Sequence, residues 1–353
     1  MWLNLGRNSI NYIDSSTFEN ERCLTEIYIS GNKITSIEPD TFSVNVELQW
    51  LNLNDNNITD IQPSAFQTNS KLTGLQIAGN ITASINPGTF DNNRELKWLN
   101  LERNIISDVH PSTFRNNSRL RHLDISRNKI TSLNPDTFIH NRELTFLYLQ
   151  GNNITEISNS SFHGLEQLEE LDLSNNNIEE LNPLAFNNTF PSTNRQNHQV
   201  SKLKRLNLAQ NKIRFFNFEL YFPMNSNSDT PNPTYHLEHI NLSSNRLTTL
   251  DVASMRWLNK TTVVTDLKGN PWNCDCSVLL VLWRELKNKL TLHCASPREL
   301  QGKSLDVIEL FCSVVGDPSV ITTTLIVIGV LLVCAVGGGL ILAQVVKKLR
   351  KGT

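Results

Sequence analysis

A strand-forming triplet, Leu-x-Leu or a near equivalent, occurs eleven times in this chain, and asparagine follows it three residues later. The first eight asparagines, Asn8, Asn32, Asn56, Asn80, Asn104, Asn128, Asn152 and Asn176, stand 24 residues apart. Phe18, Phe42, Phe66, Phe90, Phe114, Phe138, Phe162 and Phe186 keep the same interval. A fixed period of this length is one supersecondary unit stacked on itself. It predicts a solenoid, which offers a long binding surface and few catalytic pockets.

In the unit Leu48–Lys71, Leu51 and Leu53 alternate with polar neighbours, the pattern of a short strand with one buried face. Leu48, Ile58, Ile61 and Phe66 are expected to point into the same interior. One unit cannot bury these groups alone, so stacking must supply the core and align the strands in a parallel sheet. Where the chain leaves the strand, a buried turn would orphan backbone groups at about 1–3 kcal/mol each. A buried Asn amide both donates and accepts, so it can serve its own turn and the next. Adding Asn211, Asn245 and Asn270 gives an internal ladder of eleven, with the phenylalanines stacked as a second row on the far side.

The pattern L-x-x-L-x-L-x-x-N-x-I/L-x-x-I/L-x-P-x-x-F resembles the 24-residue typical form of the leucine-rich repeat family over residues 1–272. Proline holds its place at 39, 63, 87, 111, 135 and 183, with Ser15 and Asn159 in the other two in-phase repeats. The resemblance implies an α/β fold: a right-handed solenoid with a parallel β-sheet on its concave face. Ile81-Thr82 reverses the usual polar–apolar order, and that turn is expected to pack less well. Beyond Phe186 the asparagine spacing widens to 35 and 34 residues, and insertions near Asn187–Val200 and Met224–Tyr235 read as exposed loops.

The last asparagine runs into Asn270-Pro-Trp-Asn-Cys274-Asp-Cys276, and Cys294 and Cys312 follow. Four cysteines allow three connectivities. This stretch, residues 270–316, resembles the cysteine-rich C-terminal flank of extracellular leucine-rich repeat proteins, and the resemblance implies the pairs Cys274–Cys294 and Cys276–Cys312. The rival reading of these cysteines is a zinc site; the order of the motif directly after a repeat array favours the cap. Disulfides imply an oxidising compartment. Asn-x-Ser/Thr sequons at Asn57, Asn116, Asn153, Asn159, Asn187, Asn241 and Asn259 agree as glycosylation candidates. Asn80 also heads a sequon, but it belongs to the ladder and is expected to stay unmodified. Cys23 has no evident partner.

Leu325–Ala343 carries no charge and is almost entirely apolar, so residues 321–346 are expected to form a transmembrane helix. At 1.5 Å per residue the run spans about 29 Å, the thickness of the hydrocarbon layer. Residues 347–353 form a short basic tail, with Lys347, Lys348, Arg350 and Lys351. Basic residues favour the cytoplasmic side, which puts the repeats outside a plasma membrane. Ala335, Gly339 and Ala343 share one helix stripe that would permit a homodimer. The chain opens inside a repeat with no apolar leader, so a missing amino-terminal portion is expected. Read literally, a lone C-terminal span would be a tail anchor with cytosolic repeats, a reading that the cysteine flank and the basic tail oppose.

On the sheet, residues either side of the second leucine face solvent. Aromatics concentrate there in the first seven turns, and Trp50, Trp98, His122, Phe146 and Tyr148 form the candidate protein-binding patch. Arg103 and Arg127 stand at its rim. The competing account is that each aromatic only covers the aliphatic edges of its neighbours across the sheet. A net charge of −2 gives no case for nucleic-acid binding. No phosphate loop, nucleophile motif or metal-ligand set outside the cap supports an enzyme or a cofactor. His236-Leu-Glu-His239 has the wrong spacing for two ligands on one helix face. The expected function is a single-pass surface protein that binds an extracellular protein ligand as receptor, co-receptor or adhesion molecule. The alternative is a Toll-like receptor ectodomain and span without its intracellular signalling domain.

Overall fold

In the computed structural model, residues 1–158, 161–182, 185, 202–222, 236–274 and 292–304 are described. Eleven strands of three residues build a single sheet in strict chain order. They are β1 (Trp2–Asn4), β2 (Glu26–Tyr28), β3 (Trp50–Asn52), β4 (Gly74–Gln76), β5 (Trp98–Asn100) and β6 (His122–Asp124). β7 (Phe146–Tyr148), β8 (Glu170–Asp172), β9 (Arg205–Asn207), β10 (His239–Asn241) and β11 (Val264–Asp266) complete it. Every neighbouring pair is parallel and in register, so Leu51 meets Leu75, Leu75 meets Leu99, and Leu99 meets Leu123. A period of 24 residues makes this inevitable: one turn of coil returns each residue to its own position one strand on.

The middle residue of each strand points inward. Leu51, Leu75, Leu99, Leu123, Leu147 and Leu171 are all completely buried, as are Leu48, Ile58, Ile61 and Phe66. Burial of each such side chain contributes about 1.5–3 kcal/mol, and the core runs without interruption from turn to turn. The phenylalanines form the expected far row. Phe18 and Phe42 stack at 5.7 Å, and Phe66, Phe90, Phe114 and Phe138 continue the series at 6.3–6.4 Å.

The asparagine ladder is present and serves the preceding turn rather than the next. Asn104 Nδ2 donates to Leu101 O and Glu102 O in its own turn and to Ile77 O one turn back. Its Oδ1 accepts the backbone N–H of Thr82, also one turn back. The arrangement recurs from Asn32 to Asn270, and the residues involved are 4–7% exposed. Asn8, in the first turn, is exposed and keeps only the bonds to Leu5 O and Gly6 O. The reversed dipeptide is accommodated without an orphaned group. Thr82 is fully buried with its hydroxyl on Ile58 O at 3.1 Å, while Ile81 turns outward.

A second ladder, absent from the sequence reading, lies beside the phenylalanine row. Asn69, Asn93, Asn117 and Asn141 each donate Nδ2 to the carbonyl of a phenylalanine and of an asparagine in the preceding turn, at 2.9–3.0 Å. Asn45 starts the column on Glu21 O. In all five the Oδ1 atom is buried without a partner.

The far side changes character toward the C-terminus. Helix α1 (Phe218–Tyr221) and helix α2 (Val252–Lys260), neither of them expected from the sequence, pack together there. Asp251 caps α2 by accepting Ser254 N at 2.7 Å. Phe216, Phe218, Tyr221, Phe222 and Trp257 cluster between the helices. Tyr221 Oη donates to Leu181 O and Trp257 Nε1 to Phe222 O, both at 2.7 Å.

The coil then ends on buried Trp272 and a disulfide, Cys274–Cys294, which joins Trp272–Asn273 to the parallel strand Cys294–Ser296. Bonding between these sulfurs takes both thiols away from a zinc site. Cys276 and Cys312 lie outside the described residues, as do Asn159, Asn187, Phe186 and both insertions. The apolar run Leu325–Ala343, with Ala335, Gly339 and Ala343, lies outside them too. Among the described residues no helix is long and apolar enough to cross a membrane.

Candidate protein-binding face

Each strand sends its first and third residues outward, and parallel registration gathers them into two rows. The first row reads Trp2, Glu26, Trp50, Gly74, Trp98, His122, Phe146, Glu170, Arg205, His239 and Val264. The second reads Asn4, Tyr28, Asn52, Gln76, Asn100, Asp124, Tyr148, Asp172, Asn207, Asn241 and Asp266.

Four of the five expected patch residues come together. Trp98 and His122 stack face to face, with centroids 3.6 Å apart and planes within 4°. His122 meets Tyr148 edge-on at 5.2 Å and Phe146 at 5.9 Å. Trp98 keeps 38% of its surface open, whereas His122, Phe146 and Tyr148 are half-buried. Trp50 stands apart. It lies across Gly74, where a Cβ would fall 2.1 Å from its ring. For Trp50 the covering account therefore describes the geometry, since the ring fills a gap left by a missing side chain.

Electrostatics sharpen this centre. Burial pushes the His122 imidazole below its ordinary value, against the pull of Asp124 and Glu170. Burial, with the Glu170, Asp124 and Asp172 carboxylates, pushes the Tyr148 phenol up to about 12. Its hydroxyl donates to Glu170 Oε1 at 3.3 Å.

The two rim arginines are tied into an ion-pair chain along the edge of the sheet. Arg103 reaches Asp55 at 3.1 Å over Gly79, a residue at φ +66° whose Cβ would collide with the Asp55 carboxylate at 2.4 Å. Arg127 approaches Glu102 at 3.5 Å. Both arginines adopt left-handed backbone at φ 53°, the conformation that every turn uses just before its ladder asparagine.

Beyond Tyr148 the face becomes polar. Arg205 pairs with Glu170 at 2.9 Å, and Asn207 donates to Asp172 at 3.0 Å. These residues, with His239, Asn241 and Asp266, line a groove of about 310 Å³. The eleventh strand, Val264–Asp266, forms where the spacing before Asn270 places it, with Thr265 at the position that leucine or isoleucine holds in the other strands. From sequence, Glu170, Asp172 and Arg205 are legible as outward residues, but Asp124 and Asp172 read as repeat-typical surface side chains and not as part of the patch.

Among the sequon asparagines, Asn57, Asn153 and Asn259 are exposed and Asn116 and Asn241 are half-buried. Asn80 is 5% exposed with Nδ2 on Leu53 O, Ile77 O and Ala78 O, which leaves no amide for a sugar. Cys23 is free and exposed. No group of three or more potential metal ligands occurs among the described residues.

Solved structures share this architecture at low sequence identity. One from an octameric complex of Latrophilin 3, Unc5D and FLRT2 (LRR) aligns with a TM-score of 0.66 and 22% identity, covering 86% of this chain and 87% of that one. Mouse RP105 in complex with MD-1 gives 0.68 and 21%, covering 86% of this chain and 49% of its own. The TLR13–ssRNA13 complex gives 0.61 and 20%, with 85% and 48% covered. Protein phosphatase 1 regulatory subunit 29 of Homo sapiens is 42% identical over 72 residues, which are 19% of this chain and 9% of that protein. The Leucine rich repeat family model matches residues 1–58, 46–106, 94–154 and 143–189, and a further Leucine Rich Repeat model matches 236–258. With more than half of its residues matched and every turn built on the same asparagine ladder, the chain belongs to the leucine-rich repeat family.

Proposed function

We propose that this chain is a non-enzymatic, single-pass cell-surface protein that binds an extracellular protein through the outer face of its sheet. The observation that carries the reading is the joined cluster of Trp98, His122, Phe146 and Tyr148. Aromatic side chains massed on an open sheet are the type of surface that dominates protein recognition. Arg103 and Arg127 border the cluster, and Trp50 lies two strands from Trp98, over Gly74. The Cys274–Cys294 bond supports an oxidising compartment, and the apolar run Leu325–Ala343 with its basic tail supports an anchor facing the cytoplasm. The structures of similar fold include proteins crystallised with protein partners, RP105 with MD-1 among them.

The test is the full chain, tagged at its C-terminus and expressed in cultured cells. Protease added outside should remove the repeats, and glycopeptide mapping should find sugar at Asn57 or Asn153 and none at Asn80. A screen against extracellular proteins should yield a partner lost on Trp98→Ala while surface display persists. Repeats fully protected from external protease would overturn the location; a partner indifferent to Trp98→Ala would overturn the binding face.

A further inference from the structure

In eight of the eleven strands the third residue also closes the following turn, and an amide is enough for that task. Asn4, Asn52, Asn100, Asn207 and Asn241 each accept the backbone N–H two residues on, at 2.9–3.2 Å. Asp124, Asp172 and Asp266 make the same bond at 2.9, 2.8 and 3.0 Å. The coil therefore has no need of negative charge at these positions, and charge that the scaffold does not need is available for recognition.

Two of those carboxylates flank the aromatic cluster. Asp124, Tyr148 and Asp172 are consecutive in their row, and Glu170 joins them through the Tyr148 hydroxyl. Neighbouring strands lie about 4.8 Å apart, so Asp124 and Asp172 stand roughly 10 Å from one another with the phenol ring between them. Among the described residues, Arg205 is the cation paired to this group, through Glu170. Three carboxylates against one guanidinium leave the surface acidic beside partly exposed aromatic rings. That combination favours a cation: aromatic faces attract ammonium and guanidinium groups, and carboxylates bind them through charge-assisted hydrogen bonds.

We propose that the outer face of β5–β8 recognises an extended protein segment rich in arginine or lysine, with a cationic head held over Tyr148 between Asp124 and Asp172. This rests on the reading of the sheet face as the binding surface and adds the chemistry of the partner. Along the groove, Asp172 and Asp266 continue the carboxylates of the same row, with Asn207 and Asn241 between them.

The probes are two fluorescent eleven-residue peptides, one alternating Arg and Ser and one alternating Glu and Ser, titrated against the full chain in detergent. The Arg peptide should bind, weaken steeply between 50 and 300 mM salt, and lose about tenfold in affinity on Asp124→Asn with Asp172→Asn. Asparagine already makes this turn bond in five other repeats, so the variant is expected to fold. Glu19→Gln with Glu21→Gln, two exposed acids away from the sheet face, should change nothing. Equal binding of the Glu peptide, no binding of either, or indifference to the aspartate variant overturns the proposal. A natural partner that is lost on Trp98→Ala and indifferent to the aspartate variant would sink the cation preference while leaving the binding face intact. Indifference to both would remove the two together.

Discussion

The sheet has two halves that are alike inside and unlike outside. From β3 to β7 the outward rows carry Trp50, Trp98, His122, Phe146 and Tyr148; from β8 to β11 they carry Glu170, Asp172, Arg205, His239 and Asp266. Beneath both runs the same buried series, Leu99, Leu123, Leu147, Leu171 and Leu206. The same ladder also holds both, with Asn104 and Asn211 making equivalent bonds. The lesson is a separation of tasks. Inward positions answer to stacking and must repeat, whereas outward positions are left free to differ and hold the specificity.

The strongest test of that separation lies in the shared interior. Asn104→Ala under the aromatic half and Asn211→Ala under the charged half should each cost roughly 3 kcal/mol, because each orphans several buried backbone groups. Urea unfolding reads both; a large difference would show that the two halves are not one scaffold. Next comes the surface. Trp98→Ala should cost a partner about 2 kcal/mol or more, near thirtyfold in affinity. Arg205→Ala removes an exposed, solvent-screened ion pair and should strengthen the Arg peptide by roughly threefold. A matching loss from both substitutions would erase the contrast between the halves.

Gly74→Val is a gentler probe of the aromatic half. Its side chain would occupy the place of the Trp50 ring, so acrylamide quenching of tryptophan should rise while the fold persists. Unchanged quenching would show that the ring is not held there. The smallest effect concerns His122. Its folded value lies below 6.5, so as the pH falls through that point the unfolded chain takes up the proton first and stability declines. The stability difference between the native chain and His122→Gln should therefore be constant above pH 7 and shift against the native chain below about 6.5. A flat difference down to pH 5 would contradict the burial of this ring.

Much of this was legible before any coordinates. The position of each strand, the leucine core and the phenylalanine row followed from the period, because in a stacked coil sequence spacing is spatial spacing. The second ladder was equally written in the chain, as Asn45, Asn69, Asn93, Asn117 and Asn141 repeat at 24. It was overlooked because a polar residue in a turn reads as exposed unless its neighbours are known to cover it. The helices α1 and α2 were not legible. They fall where the period lapses, and α2 has only nine residues. The face was half legible: the outward aromatics could be named, but not that Trp50 spans Gly74 or that Trp98 stacks on His122.

By itself the amino-acid sequence determined the coil, its repeat length, its parallel strand order and which side chains face inward, since a strict period leaves stacking no freedom. Tertiary structure alone decided which outward groups meet and how their charges combine. Those contacts join residues 22 to 48 positions apart, one or two turns along the coil. Their energies depend on ring orientation, burial and the spacing of carboxylates, none of which a linear pattern contains.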